Sequence, residues 1–306
     1  MTDPDYTLLK KTQVHLLKSP PFYIKNEDNS FVLYKEAGEE MQNERLLENE
    51  YPDLYISAQD KDAALKELAD ALNYDLVRCI ADKGLPEIKQ ALCRIVEEAI
   101  APEQTTMLDS MPDTLGILIK EFGKDIASLK MLGQVQGHSD WLVEHTVNVA
   151  ALTLQYCFFH QLEQDKIQQL FFCALLHDIG AGKIDPSLLN KNKKLTDKQF
   201  QAYQEHTTKG HDLIIIDTHL DVSVAEVALE HHERIDGSGY PNGTRRITAD
   251  SQLISIIDCF EPLTFRDTGF REHKTAYDSL SVIKAEVQQG KFDKVLFKHF
   301  VSCLVR

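Results

Sequence analysis

The stretch VALEHHERIDGSGYPNG, residues 227–243, puts two adjacent histidines at the end of an apolar run, followed by a turn with three glycines and a proline. Neighbouring residues on one helix point about 100° apart, so His231 and His232 cannot share one apolar stripe. Either one of them is solvated, or both converge on something held between elements. Other histidines and aspartates lie in similar places. His145 sits inside the apolar-striped segment WLVEHTVNVA, and His177 with Asp178 ends FFCALLHD. His206 follows an amphipathic segment, and Asp258 ends ISIID. A burial-prone ionisable group at such a position needs a partner. Taken singly, each is explained as a hydrogen-bonded core residue or a helix cap. Together they form a donor set that suits Fe, Mn, Zn or Ni better than a soft-metal cage, because the six cysteines lie apart without a CxxC pair.

The surrounding chain is mostly helical. Apolar stripes and stop signals predict helices in 60–84, 85–102, 113–132, 141–162, 165–180, 194–218, 222–232, 251–261 ending before Pro262, 273–290 and 291–305, with Thr196 as an N-cap. Residues 1 to about 60 are mixed. FVLYK (31–35) and DLYIS (53–57) alternate as short strands, and AGEEMQNERLLENEYP between them reads as a helix. The expected fold class is therefore mainly α. Residues 1–115 are expected to form a small mixed α/β regulatory or partner domain with linking helices, and 116–306 a helical domain. The formal net charge of −15 argues against broad nucleic-acid or anionic-membrane binding, but leaves room for a small anionic substrate met by local positive charge. Without a long apolar run or a signal-type N-terminus, the chain is expected to be cytoplasmic, with reduced cysteines.

HTVNVA, LLHDIGAGKIDPSLLNKNKKLT, EHTTKG, HHERIDGSGYPNG and IIDCFEPLT occur in the order and approximate spacing of the HD-GYP family, a branch of the HD-domain phosphohydrolases. The chain resembles that family from about 135 to 306. The resemblance implies an all-helical HD-type bundle that binds two divalent ions, Fe or Mn, and hydrolyses cyclic di-GMP to pGpG or GMP. It implies one ion held by His145, His177 and Asp258, a second by His206, His231 and His232, and Asp178 bridging the two. Two close ions would clamp and activate a water. The glycines Gly237 and Gly239 would let the motif loop turn tightly beside the site, with Pro241 stiffening it. Tyr240 is then a packing or surface residue. In the family this loop is also linked to contacts with GGDEF-type domains.

The sequence departs from the family in four places. Ala181 stands where a lysine is expected. Lys183, two residues on, is either a phosphate contact from a shifted loop or a solvated surface lysine. Trp141 stands where some relatives place a glutamate for a third metal, which favours two ions, and Glu144 points elsewhere on the helix. Glu261 and Pro262 replace an aspartate and an alanine after Asp258. Phe270 registers with the tyrosine of an RPY-type motif, with Arg271 next to it, while the motif's own arginine falls near Thr268 and Arg266 is a substitute. Loss of that hydroxyl, if it serves the leaving oxygen, would slow turnover about 10²–10⁴-fold. Arg271, Lys183 and Lys274 are the candidate phosphate contacts. Two alternatives remain: a weak or inactive receptor for cyclic di-GMP or a GGDEF partner, and a hydrolase of another phosphoester.

Overall fold

The computed structural model describes residues 5–41, 51–101, 105–123, 125–135, 139–189, 194–265 and 273–305. Strands β1 (Tyr6–Leu8), β2 (Phe22–Lys25), β3 (Phe31–Lys35) and β4 (Leu54–Ser57) form one antiparallel sheet in the order β1-β4-β2-β3. Alternation sets its faces. Leu54 and Ile56 of β4 turn inward with Phe22, while Tyr55 turns out to meet Phe31. The predicted strand 31–35 is present, and the one predicted at 53–57 is present as 54–57. β1 and β2 were not foreseen, being too short to show a period. The predicted helix at 37–52 falls mostly outside the described residues, and its described first part, 37–41, is a turn and irregular chain rather than helix.

A short helix α1 (Lys11–Val14) leads into the sheet. The helical part then runs through α2 (Lys61–Asp82), α3 (Leu85–Ala99), α4 (Thr105–Asp109), α5 (Met111–Phe122) and α6 (Ile126–Gln134). It continues with α7 (Trp141–Phe159), α8 (Gln164–Leu176), α9 (Asp197–Asp217), α10 (Val222–Glu230), α11 (Ala249–Phe265), α12 (Ala276–Gln288) and α13 (Lys294–Val305). The single helix expected across 113–132 is broken after Phe122, and Asp125 caps the new start by accepting from the Ser128 backbone N–H. Thr196 caps α9 as expected, with Gln199 completing a capping box. α11 was expected to stop before Pro262, but runs on to Phe265. Proline has no N–H to donate, yet Phe260 and Glu261 are buried, which holds the segment against the core, and Thr264 Oγ1 donates to the Phe260 carbonyl at 3.0 Å.

One continuous apolar core joins the sheet to the C-terminal helices. α3 is the shared element: it packs against α2 on one side and against α6 and α7 on the other. Its Glu98 accepts from Lys10 Nζ at 3.1 Å and from Gln13 Nε2 at 2.8 Å, tying the N-terminal segment to it. All six cysteines are free thiols. Among the described residues, no helix is long and apolar enough to cross a membrane.

After α8 the chain makes a 3₁₀ turn, Ile179–Lys183, that lies on α9. A β-carbon on Gly180 would overlap the His206 carbonyl oxygen and the Gly210 backbone, so glycine is required for this close approach. Gly182 faces open space. Gly180→Ala should therefore lower stability by about 1–3 kcal/mol, whereas Gly182→Ala should stay within about 0.5 kcal/mol. Urea unfolding of the two variants measures the difference, and equal effects would contradict the packing.

Candidate metal centre

α7 brings His145 to its buried face, and α11 does the same for Asp258. His177 caps the C-terminus of α8, and Asp178 opens the 3₁₀ turn. His206 lies midway along α9 and is fully buried. His231 caps α10, and His232 follows just after the helix has ended. The chain's departure from the helix axis lets two adjacent imidazoles converge, which a continued helix would not allow.

The seven side chains meet as two groups. In one, donor atoms of His145, His177 and Asp258 lie within 4.8 Å of one another; in the other, those of Asp178, His206, His231 and His232 do. Asp178 faces both. Its Oδ2 lies 3.8 Å from His145 Nε2 and 3.7 Å from His177 Nε2, while its Oδ1 lies 3.3 Å from His206 Nε2 and 3.5 Å from His231 Nε2.

The donor set fits a cation. The outward nitrogens of four rings are committed elsewhere. His177 Nδ1 donates to the Ala174 carbonyl at 2.8 Å, His206 Nδ1 to Tyr203 at 2.6 Å, and His231 Nδ1 to Ala228 at 3.0 Å. His145 Nδ1 donates to Glu261 Oε2 at 2.7 Å. Such bonds fix the ring orientation and aim Nε2 inward, as metal ligands require. The Nε2 atoms of His206, His231 and His232, and Asp178 Oδ1, are buried without a hydrogen-bond partner. His145 Nε2 and His177 Nε2 stand only 3.3 Å apart. A cation would satisfy these buried acceptors, which otherwise incur an uncompensated desolvation cost.

Protonation states agree. Burial lowers His177 to about 4 despite the pull of Asp178, and it also lowers His206 and His232. Burial alone would raise Asp178, but His177, His231 and His206 overcome it and hold it well below the usual carboxylate range. Asp258 is likewise lowered, with His145 and His232 outweighing burial. His145 differs. Burial opposes its charge, but Glu261 on Nδ1 and Asp258, 3.1 Å from Nε2, push it up to about 10.

Sequence reasoning noted Glu261 only as a departure and missed Asn148 and Lys89. Asn148 Nδ2 donates to Glu261 Oε1 at 2.5 Å, and Lys89 Nζ donates to Asn148 Oδ1 at 2.7 Å. Lys89 falls three and seven residues before Leu92 and Val96, on the buried face of α3, and that spacing was the available signal. Trp141 stacks on His145, with ring centroids 5.4 Å apart and planes 12° from parallel.

The motif loop lies against the same centre. Tyr240 is half-buried, its ring 4.6 Å from that of His232 and 5.7 Å from Phe200. Burial keeps its hydroxyl protonated far above the usual range. A β-carbon on Gly239 would overlap the backbone of residues 232–234, and Gly237 has a φ of 82°. Pro241 follows Tyr240, and the Asn242 backbone N–H donates to buried Glu233 at 2.7 Å.

Lys183 is exposed at the end of the 3₁₀ turn and lines a crevice with Ile100, Leu213 and Asp217. Lys274 is half-buried, its backbone N–H donating to the Leu263 carbonyl at 2.8 Å. Arg266, Thr268, Phe270 and Arg271 lie outside the described residues.

A family model described as an HD domain matches residues 133–296. A cyclic di-GMP phosphodiesterase of Pseudomonas aeruginosa is 28% identical over 180 residues, covering 58% of this chain and 42% of that protein. A 3'3'-cGAMP-specific phosphodiesterase of Vibrio cholerae is 30% identical over 178 residues, covering 57% of this chain and 41% of that protein. The aligned part of the chain thus spans less than half the length of these curated relatives. A solved HDG"Y"P protein from Bdellovibrio bacteriovorus shares the fold, with a TM-score of 0.63 and 19% identity over 98% of this chain and 99% of that one.

An ion at His145 Nε2 must displace a proton, because a pKa raised from 6.5 to about 10 leaves this ring charged at pH 7 when no ion is bound. Metal binding at pH 7 should release about one proton per chain, measured by calorimetry in buffers of different ionisation enthalpy. By the same shift, charged His145 contributes stability to the metal-stripped protein that is fully present below pH 6.5 and lost as pH rises through about 10. Glu261→Gln should shrink both effects. Unchanged proton release in that variant would contradict this placement of charge.

Proposed function

This chain belongs to the HD-domain family, and on that premise we propose that it is a metal-dependent phosphodiesterase that hydrolyses cyclic di-GMP to pGpG and GMP at a two-ion centre. The observation that carries the proposal is Asp178, with one carboxylate oxygen toward each donor group. His145, His177 and Asp258 would hold one ion, and His206, His231 and His232 the other. Imidazole and carboxylate donors accommodate Fe or Mn. When bound, such ions supply Lewis acidity toward phosphoryl oxygens and lower the pKa of water.

The remaining work falls to the chain's own residues. Asp178 sets the separation of the two donor groups. The Nδ1 bonds to backbone carbonyls keep the rings from rotating, so the centre loses little order when a dianionic substrate arrives. Arg271, Lys183 and Lys274 are assigned to the phosphates, where their positive charge would offset a chain net charge of −15. Tyr240, held protonated against His232, forms part of the wall. The exposed Ser238 and Asn242 leave the motif loop accessible to a GGDEF-type partner.

The similarity to a 3'3'-cGAMP-specific enzyme supports a second substrate of the same class, a mixed cyclic dinucleotide. The test offers cyclic di-GMP and 3'3'-cGAMP to the iron- or manganese-loaded protein and follows linear products by chromatography. Cyclic di-GMP should be consumed faster, and Asp178→Ala should stop turnover. Phe270→Tyr should raise the rate, by up to about 10²–10⁴-fold if the missing hydroxyl serves the leaving oxygen. Faster consumption of cGAMP would reassign the substrate, and no product from either would favour a receptor.

A further inference from the structure

Lys89 is 1% exposed, yet it is a lysine on a helix that lies before the HD-domain match. A methionine of similar length would fill the same space without burying an ammonium. Its Nζ has two oxygen partners, the Val135 carbonyl and Asn148 Oδ1. An ammonium has only donors. It therefore dictates which way the Asn148 amide points: oxygen toward Lys89, NH₂ toward Glu261. Glu261 in turn accepts from Asn148 on one oxygen and from His145 Nδ1 on the other. Lys89, Asn148, Glu261 and His145 form one unbroken chain of polar contacts, all four members buried.

We propose that Lys89 is a positioning residue of the metal centre. By fixing the Asn148 amide it holds Glu261 on His145, and so makes α3 part of the support of the His145–His177–Asp258 group. The inference rests on the metal-centre part of the proposed function and not on the substrate. Without Lys89, the Asn148 amide is free to turn its oxygen toward Glu261, which sets two acceptors against each other. Glu261 then loses its fixed donor, and the His145 ring loses its aim.

The test measures Mn²⁺ affinity in metal-stripped full-length protein by electron paramagnetic resonance of the free ion. The native protein should bind two ions. Lys89→Met should keep one at native affinity and bind the other about 10–100-fold more weakly. Glu261→Gln should do the same, and the double variant should be no weaker than Glu261→Gln alone, since both act through one chain of contacts. A folded Lys89→Met protein that binds both ions as the native does would overturn the proposal, as would losses that add. Asn148→Ser breaks the chain while sparing the Lys89–Val135 bond. If Lys89→Met does not fold, native affinity for both ions in Asn148→Ser overturns the proposal and a weakened single ion supports it. Two ions bound with no cyclic dinucleotide cleaved would remove the substrate assignment alone, whereas a native protein that binds no Mn²⁺ would remove the metal centre and this inference with it.

Discussion

Asp178 is a buried carboxylate surrounded by imidazoles, and the C-terminal helices are arranged around that fact. An isolated charge at such depth is too costly to keep without partners, and electrostatic attraction compensates only when the surrounding geometry is well fixed. The geometry here is fixed by backbone. Carbonyls of α8, α9 and α10 hold His177, His206 and His231 by their outer nitrogens. The positions of three helices thus become the positions of three nitrogens. Gly180 lets the turn carrying Asp178 press against α9 close enough to join them.

His145 is held differently. It sits inside α7, and its outer nitrogen bonds not a backbone carbonyl but a side chain from α11. That side chain, Glu261, needs donors of its own, and the demand is passed outward through Asn148 to Lys89. Three rings are therefore held within their own helices. His145 draws its support from α3, which also carries the contact to the N-terminal segment.

The site was legible in the sequence far more than its support. His145, His177, Asp178, His206, His231, His232 and Asp258 interrupt apolar stripes, and their order and spacing carry a family pattern; the structure brings all seven together. Glu261 read as a departure because its partner lies 116 residues away, and nothing local announces a bond to His145. Lys89 went unnoticed in the sequence, since polar residues on amphipathic helices are normally solvated. β1 and β2 are three and four residues long, too few to show alternation. The helix stop at Pro262 followed a sound local rule that burial of Phe260 and Glu261 overrode.

Trp141 is the chain's single tryptophan, and it lies nearly parallel to the His145 imidazole. All indole emission from the protein therefore originates beside one donor of the centre. A charged imidazolium and a neutral, coordinated one are different neighbours for an excited indole, and a paramagnetic ion is different again. The protein thus carries a built-in optical label beside the donor His145.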